Sequence, residues 1–364
     1  MESYGYRDDY VVPGCAVRVL ITAEQLRRTV PGGIGTYVRS LFGALDSGHA
    51  VVPVAWASRG LPATLGLPPA VQERLSILPG PVLTRLWDRG VVGAPKDVDR
   101  VHATSLAVPP HRRNGPPLSC FVHDLAWRRT PDAYPGRGRH WHVGALGRAI
   151  ARCDLLMAPS RQTADDLLAA GADHHRVYVV PEGCDHLSLF PRPANGGEYL
   201  LSVSTLEPRK NLRRLVEAYQ LARPHMNHPW PLRIVGPTGW GEDLGHLAHV
   251  DGVEMLGPVD DTALARLLAD ARALAYVPLV EGFGLPAVEA MRAGIPVLSS
   301  SVPSVAPGTT VLVDPLDVNA MAVGLVRVLE HEDTRMELTV AAAAHTRPLT
   351  WAASAAAHVT LWQK

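Results

Sequence analysis

Residues 274–289, LAYVPLVEGFGLPAVE, decide the fold that the sequence predicts. The apolar run Leu274–Val277 is typical of a buried strand, and Pro286 suits the first turn of a helix because proline has no N–H to lose there. Glu281 falls in the loop between the two and is followed by two glycines. Glu289 falls in or just after the first helical turn. A strand, a glycine-containing loop and a helix in this order form a βα unit, the building block of α/β proteins with parallel sheets.

The two carboxylates of this segment suit a ligand that carries hydroxyl groups together with an anion. Carboxylates accept hydrogen bonds from hydroxyls, while the free N–H groups and the dipole of a helix start favour an anion. A sugar nucleotide has both kinds of group. Spacing alone gives more weight to a simpler interpretation, in which an acid near the helix start only stabilises the helix.

Units of the same kind continue on both sides, which predicts an α/β fold with two Rossmann-like domains. In the first series, strands are predicted at Val17–Thr22, Val51–Trp56, Val101–Ala103, Leu118–His123, Leu155–Ala158 and Val177–Val180, and helices at Thr36–Leu45 and Arg161–Ala170. In the second, strands are predicted at Tyr199–Ser204, Leu232–Val235, Val253–Leu256, Leu274–Val277, Val297–Ser300 and Val311–Val313, and helices at Asn211–Ala222, Asp243–Val250, Thr262–Ala271, Pro286–Ala293 and Asn319–Leu329. The proline- and glycine-rich region Gly60–Gly93 gives the weakest signal.

Residues 191–198 separate the two series and are predicted to form a linker, since their prolines and glycines suit neither strand nor helix. The predicted organisation is a mobile leader over 1–14, a first, acceptor-binding domain over 15–190, and a second, nucleotide-sugar domain over 199–345. A terminal helix over 346–364 is expected to pack back on the first domain. The two domains would face each other across a cleft at the carboxyl ends of their sheets, where α/β proteins bind ligands.

Composition narrows the class of protein. A length of 364 residues suits two domains, and 47% hydrophobic with 19% charged residues is typical of a globular chain. Lys plus Arg and Asp plus Glu each number 35, so no broad positive field attracts nucleic acid. We find no signal peptide and no apolar run long enough to span a membrane, and the four scattered cysteines suit a reducing compartment. The cytoplasm is the predicted location.

Three other segments follow predicted strands and contain residues able to bind a ligand. Adjacent cations at a predicted helix start are electrostatically misplaced, so either an anionic ligand or solvent must compensate them. A glycine-rich turn lets backbone approach a phosphate closely, or simply makes a tight turn. A histidine at a strand end can reach the cleft or serve the structure. These segments are Ser204–Asn211 (STLEPRKN), Pro31–Thr36 (PGGIGT) and His123-Asp124.

Taken together, the segments resemble the retaining glycosyltransferases of family 4, which have the GT-B fold. The E-x7-E signature of that family appears as Glu281 and Glu289 within EGFGLPAVEAMRAGIPV. The segments GGIG, HD, PEGCD (Pro181–Asp185), EPRKN and EGFGLP also stand in the family's order, and the resemblance runs from about Val17 onward. Two segments depart from it: Ser204-Thr205 where many relatives have an arginine, and Pro303-Ser304-Val305 where relatives often have Pro-Glu-Val.

The resemblance implies a role for each matching residue. Glu281 would bind the hydroxyls of the donor sugar, and Glu289 those of the ribose. Arg209 and Lys210 would neutralise the diphosphate. The implied catalytic residues are His123, Asp124, Arg209, Lys210 and Glu281, with His123 near the reacting carbon. The implied donor-binding residues are Gly32, Gly33, Gly35, Thr205, Arg209, Lys210, Val259, Glu281, Phe283, Gly284, Leu285 and Glu289.

The reaction implied by the resemblance is transfer of a hexose with retained configuration, from a nucleoside diphosphate sugar to a hydroxyl acceptor. GDP-mannose is the first candidate donor, and the acceptor would be a glycan, a lipid-linked saccharide or a small metabolite. No metal or further cofactor is expected. The departing phosphate would help remove the acceptor proton, with His123 or Asp124 as base the alternative. Two other classes stay open: an epimerase or phosphorylase of the same fold, and a non-catalytic partner that binds sugar nucleotides.

Two further features admit a functional and a structural interpretation. Asp97-Val98-Asp99 has the D-x-D pattern of a metal site, but it precedes a strand and is expected to be a loop entry. The basic stretch from Arg137 to Arg152 contains Trp141 and could contact an anionic membrane peripherally, at its inner face. We favour the alternative, an ordinary helix beside the cleft with a solvated basic face.

Overall fold

The computed structural model describes residues 16–45, 51–60, 64–193, 197–241 and 243–364. Within them the chain forms two α/β units, each built on one parallel sheet. The predicted leader over 1–14 lies outside the described residues, as do residues 194–196 of the predicted linker. Among the helices that are described, none combines the length and the apolar character needed to cross a membrane.

Both sheets are doubly wound. The first has the order β3-β2-β1-β4-β5-β6-β7 and the second the order β10-β9-β8-β11-β12-β13. The strands are β1 Val17–Thr22, β2 Val51–Ser58, β3 Gln72–Ser76, β4 Arg100–Ala103, β5 Leu118–Phe121, β6 Leu155–Ala158, β7 Val177–Val179, β8 Tyr199–Val203, β9 Leu232–Val235, β10 Val253–Gly257, β11 Ala271–Tyr276, β12 Val297–Ser299 and β13 Val311–Leu312. The strand order therefore reverses between β1 and β4 and between β8 and β11, and such reversals are where open α/β sheets bind ligands.

Helices cover both faces of each sheet, so the central strands are buried on both sides and are mostly apolar, whereas the edge strands β3 and β10 are only partly buried. In β1, Val19 and Ile21 pack into one core cluster while Leu20, which points to the opposite face, packs into another. The helices are α1 Gly32–Leu45, α2 Gly80–Asp88, α3 Ala126–Arg129, α4 Gly136–Arg152, α5 Arg161–Ala169, α6 Leu212–Ala222, α7 Asp261–Asp270, α8 Leu285–Arg292, α9 Val318–Glu330, α10 Glu332–Thr346 and α11 Trp351–Trp362.

Helix α11 packs against the first sheet, although it follows the whole second unit in sequence. The Tyr37 hydroxyl is 2.8 Å from Nε2 of His358, and Arg100 Nε donates to the carbonyl of Trp362 at 2.6 Å. The Trp362 indole donates to Ser119 Oγ at 3.2 Å. The chain therefore crosses between the two units twice, once between β7 and β8 and once between α10 and α11.

Several elements differ from the sequence-based predictions. The helix predicted over Asp243–Val250 is only a 3-10 turn, Gly245–His249, because a glycine inside so short a segment weakens an α-helix. The first helix begins at Gly32 rather than Thr36, with Pro31 accepting a hydrogen bond from the Gly35 amide. Strand β3 and helix α2 lie within Gly60–Gly93, for which the sequence predicted no strand or helix. Helix α10 was not predicted either.

Candidate active site

The predicted ligand-binding segments meet at the carboxyl ends of the two sheets. The loop after β11 carries Glu281, and the β8–α6 connection carries Arg209 and Lys210, so these three side chains lie at the strand-order reversal of the second sheet. A Cβ built on Gly282 would lie 1.7 Å from the carbonyl oxygen of His123, which follows β5. The loops of the two sheets are thus in direct contact here.

Glu281 is an ion-pair partner of both cations. Lys210 Nζ pairs with Glu281 Oε1 and also donates to the Tyr276 hydroxyl at 3.3 Å. Arg209 Nη1 lies 3.1 Å from Glu281 Oε2, and Arg209 Nε lies 2.5 Å from Glu207 Oε1. All five side chains belong to the second unit, which builds this charge cluster by itself.

The charge cluster is buried, and its electrostatics keep Glu281 ionised. Burial alone would raise the pKa of Glu281, but Arg209 and Lys210 lower it to about 2. Burial alone would lower the pKa of Arg209, but Glu281 and other carboxylates raise it well above its usual value. Burial raises the pKa of Glu207. The ionised carboxylate of Glu281 therefore accepts hydrogen bonds and does not supply a proton at neutral pH.

One part of the sequence argument about these cations was wrong. Arg209 and Lys210 do not require an external anion, because the chain's own Glu281 and Glu207 lie against them. The residues also form a short 3-10 turn before α6 rather than the start of α6 itself. Asn211 follows with φ 62°, and its side-chain amide donates to the carbonyl of Val277 at 3.1 Å. A diphosphate at this place would share the two cations with the carboxylates.

The loop from Glu281 to α8 is held from both units. Gln162 Nε2 donates to the Glu281 carbonyl at 3.1 Å, and Thr163 Oγ1 lies 3.4 Å from the Gly282 carbonyl, so the start of α5 reaches across from the first unit. Gly284 adopts φ 104°, a left-handed conformation that favours glycine, and α8 begins at the next residue. In the first turn of α8, Pro286 has no N–H and the Ala287 amide donates to the Gly284 carbonyl at 3.1 Å. The Leu285 amide at this helix start suits an anion.

Ser304, in one of the two segments that depart from the family pattern, supports this loop. Its hydroxyl donates to the Gly284 carbonyl at 3.1 Å, and its amide donates to the Phe283 carbonyl at 3.0 Å. Phe283 and Leu285 are themselves buried in the core of the second unit. Their side chains therefore pack in the core, and only their backbone groups could contact a ligand.

His123 is held by protein partners at both ring nitrogens. Nδ1 lies 3.0 Å from Glu182 Oε1, and Nε2 lies 3.0 Å from the carbonyl of Thr104. The adjacent Asp124 accepts a hydrogen bond from the Ala126 amide at 3.0 Å. The His123 ring therefore has both nitrogens engaged and is not available as a base in this arrangement, and what His123 presents to the second unit is its carbonyl oxygen.

Glu289, on α8, faces a histidine that the sequence reasoning did not single out. His186 Nε2 lies 3.4 Å from Glu289 Oε1, and both side chains are largely buried. His186 belongs to the segment that connects β7 with β8. Glu289 and Glu281 are thus held separately, Glu281 by cations and Glu289 by an imidazole.

The remaining predicted donor-binding residues lie around the same loops. A Cβ on Gly33 would lie 4.0 Å from the Leu285 side chain, so the glycine-rich start of α1 faces the start of α8. Gly32 and Gly35 occupy the same first turn of α1. Thr205 is half-buried beside β8, and Val259 is 37% exposed on the loop that follows β10.

Both additional features have structural partners. Asp97 pairs with Arg74, and Asp99 accepts a hydrogen bond from the Arg18 amide at 2.7 Å, so each carboxylate of the D-x-D triplet fixes the chain. The only potential metal-ligand group found among the described residues lies elsewhere, at Asp173-His174-His175 on the surface. The absence of a required metal stays a prediction.

The basic helix α4 uses part of its charge internally. Arg148 pairs with Asp88 at 2.5 Å, and Trp141 donates to the same carboxylate at 3.2 Å. Arg152 donates to backbone carbonyls, including that of Trp87 at 3.0 Å. A groove of about 510 Å³ along α4 is lined by Gly136, Arg137, His140, Trp141, Gly144 and Arg148. Contact of this helix with a membrane stays a prediction.

Sequence reasoning gave no role to several residues of the site. Gln162, Thr163 and His186 act through partners distant in the chain. Glu182 and Glu207 lie within the segments PEGCD and STLEPRKN, but neither was singled out. Tyr134 and Trp240 were also missed. Their rings lie 5.5 Å apart, and Trp240 donates to the Ala133 carbonyl at 2.9 Å, which forms a second contact between the units.

Comparison with known proteins places this arrangement in a family. The model of glycosyltransferase family 4 matches residues 31–186, and that of glycosyl transferases group 1 matches residues 190–345. The O-antigen chain mannosyltransferase B of Escherichia coli is 36% identical over 161 residues, 42% of each chain. The MMP alpha-(1->4)-mannosyltransferase of Mycolicibacterium hassiacum is 31% identical over 206 residues, 53% of this chain and 50% of the relative. The chain thus spans half or less of the length of these two relatives.

The fold has solved counterparts. The sucrose-phosphate synthase of Thermosynechococcus elongatus superimposes with a TM-score of 0.76 over 95% of this chain and 98% of that one, at 19% identity. One family model matches most of the first unit and the other matches the second, each of which is built on its own parallel sheet. The chain therefore belongs to the glycosyltransferases of family 4 and group 1, and it has the GT-B fold.

Proposed function

We propose that this protein is a metal-independent hexosyltransferase that moves a sugar from a nucleoside diphosphate donor to a hydroxyl acceptor with retention of configuration. The observation that carries the proposal is the position of Glu281. Its ionised carboxylate lies between Arg209 and Lys210, beside the start of α8, at the strand-order reversal of the second sheet. This place offers a carboxylate that can accept hydrogen bonds from sugar hydroxyls and two cations that can bind phosphate, all within a few ångströms of each other.

The residues would divide the work by charge. Glu281 would accept hydrogen bonds from donor-sugar hydroxyls, while Arg209, Lys210 and the amides at the start of α8 would stabilise the negative charge that develops on the departing diphosphate. Because these groups are already fixed and buried, little reorganisation is needed in the transition state. Glu289 would bind the ribose hydroxyls, and the loop at Val259 would contact the base through its backbone.

The partners of His123 and Asp124 bear on the step that removes the acceptor proton. Both ring nitrogens of His123 are engaged, and Asp124 accepts a backbone hydrogen bond. We therefore favour attack on the face from which the diphosphate departs, with a phosphate oxygen taking the acceptor proton. His123 would contribute its carbonyl oxygen and its packing against Gly282 rather than act as a base.

The donor and the acceptor class are drawn from the relatives. GDP-mannose is the first candidate donor because the two curated relatives described above are named mannosyltransferases. A glycan, a lipid-linked saccharide or a small metabolite remains the candidate acceptor, and the cytoplasm the candidate location.

The test combines binding with product analysis. Thermal shifts with UDP-, GDP-, ADP- and dTDP-sugars identify the donor, since a ligand that binds only the folded state raises the melting temperature. Product analysis with and without acceptor hydroxyls, in the presence of EDTA, then measures transfer. Conversion of the sugar nucleotide without any acceptor would instead indicate an epimerase. Failure of every nucleotide to bind would overturn the proposal.

A further inference from the structure

His186 stands between the donor site and the connection of the two units. Its Nε2 lies 3.4 Å from Glu289 Oε1 on α8. Its Nδ1 accepts a hydrogen bond of 3.3 Å from the Trp351 indole at the start of α11. Three segments of the chain that are far apart in sequence therefore meet at one buried imidazole.

The partners of the imidazole fix where its proton lies. An indole N–H can only donate, so Nδ1 of His186 must accept and the neutral ring carries its proton on Nε2. That proton faces Glu289 Oε1. Burial alone would lower the pKa of His186, but the hydrogen bond and charge of Glu289 raise it. One oxygen of Glu289 thus lies 3.4 Å from the Nε2 of an imidazole whose own orientation is set by Trp351.

We propose that His186 is a positioning residue that orients Glu289 for the two ribose hydroxyls and so makes the protein select ribonucleotides over 2′-deoxyribonucleotides. The inference rests on the proposed function, because it takes Glu289 as the ribose-binding group. A carboxylate anchored through one oxygen presents the other in a fixed place. A site built to hydrogen-bond a hydroxyl rejects the analogue that lacks it, since the buried acceptor is then left unpaired.

The surroundings of His186 explain why it can hold this orientation. The Trp351 amide donates to Asp185 Oδ1 at 2.7 Å, and the Cys184 amide donates to the Leu349 carbonyl at 3.0 Å. These bonds tie the two segments that cross between the units directly beside the imidazole. Indole and imidazole therefore sit on neighbouring, mutually bonded stretches of backbone.

The experiment compares His186→Leu, which removes the donor, with His186→Gln, whose amide N–H can replace Nε2–H. Calorimetry measures the Kd of GDP and of 2′-deoxy-GDP, with UDP and 2′-deoxy-UDP in parallel. We expect the wild type to prefer the ribonucleotide about tenfold or more, which corresponds to one hydroxyl hydrogen bond. The ratio of the deoxyribonucleotide Kd to the ribonucleotide Kd should fall to between about 1 and 2 in the leucine variant, because the ribonucleotide binds more weakly. The glutamine variant should retain most of the wild-type ratio.

The controls separate this inference from the proposed function. His174→Leu, at an exposed position, should leave the ratio unchanged. If His186→Leu keeps the wild-type ratio while Glu289→Gln lowers it, the positioning role is wrong and the donor site stands. If the wild type binds none of the four nucleotides, the proposed function itself fails. Should His186→Leu not fold, Trp351→Phe decides: an unchanged ratio in that variant overturns the inference.

Discussion

Two acids eight residues apart in the chain are held in different ways. Glu281 lies against guanidinium and ammonium groups, and Glu289 lies against an imidazole. Charged partners keep a carboxylate ionised, so that it only accepts hydrogen bonds, whereas an imidazole N–H orients one carboxylate oxygen. The difference suits the proposed division in which Glu281 is adjacent to the reacting sugar and Glu289 is remote from it.

Glu281→Gln should reduce the rate of transfer about 100-fold or more. The amide lacks the negative charge that fixes Lys210, and it has only one oxygen to accept hydrogen bonds from sugar hydroxyls. Steady-state turnover with saturating donor measures the effect. Glu337→Gln, at an exposed position of α10, serves as the matched control and should retain full activity. Near-normal turnover of the Glu281 variant would exclude a role in the reaction.

Gly282→Ala should lower turnover by about tenfold or more, because its Cβ would meet the His123 carbonyl oxygen, which is backbone and has little room to move. The clash between the methyl group introduced by Gly282→Ala and the His123 carbonyl oxygen is relieved only if the two units separate at the reacting centre. Gly43→Ala, inside α1 with open space around it, should leave kinetics unchanged. Equal kinetics of the two variants would show that the contact is not needed in the active form.

Among the elements, α11 is tied to the first sheet by a buried polar network. The Tyr37 hydroxyl contacts Nε2 of both His102 and His358, and His358 Nδ1 lies 2.8 Å from the Ser354 carbonyl. Because a carbonyl only accepts, His358 donates from Nδ1 and must accept the Tyr37 proton at Nε2. His102 then donates to Tyr37. The network is satisfied with both histidines neutral.

This network makes stability depend on pH. Burial lowers the pKa of His358 to about 4, while an unfolded histidine titrates near 6.5. Between these values the unfolded chain binds more protons, so the contribution is fully present above about pH 6.5 and is lost as pH falls toward 4. We expect a loss of roughly 3 kcal/mol across this window.

Urea unfolding from pH 4.5 to 7 measures that loss. His358→Gln should flatten the profile, because glutamine does not titrate, and His174→Gln should keep the wild-type slope. The slope will not vanish entirely, because burial also lowers the pKa of His102 well below its usual value. A His358→Gln profile identical to that of the wild type would contradict the predicted coupling.

Strands and helices whose apolar residues recur at a regular spacing could be predicted from the sequence, and the others could not. The apolar strands before Glu281 and His123 gave the correct position of both residues at strand ends. Strand β3, with the sequence QERLS, lies at the sheet edge and is only half-buried, so it lacks an apolar pattern. His186 lies outside any periodic segment, and its partner Trp351 is 165 residues away, so no local pattern could reveal the pair.

In the part of the molecule that the structure describes, two of the contacts between the units are formed by hydrogen bonds or backbone packing beside the proposed donor site. One is the Gly282 loop with α5 and His123, and the other joins Trp240 to Tyr134 and Ala133. The second contact lies on loops rather than in a large apolar interface, which is the kind of contact that opens and closes readily.

Trp240→Ala should therefore shift the molecule toward an open form. The apparent KM for the donor should rise about 3- to 10-fold while kcat changes less, since only the competent fraction is reduced. Trp240→Phe, which keeps the ring contact but loses the hydrogen bond to Ala133, should lie between. An unchanged KM in both variants would show that this contact does not contribute to closure.

The placement of α11 has a consequence for synthesis on the ribosome. Residues 351–362 complete the core of the first unit, yet they are translated after every strand of the second. The nascent first unit must therefore wait, with the apolar surface around Tyr37 and Phe121 uncovered, while roughly 170 further residues are added at about 5–20 residues per second. Chaperones should bind ribosome-held chains in which residues 351–362 have not yet left the exit tunnel and release those in which a C-terminal extension has brought residues 351–362 outside it.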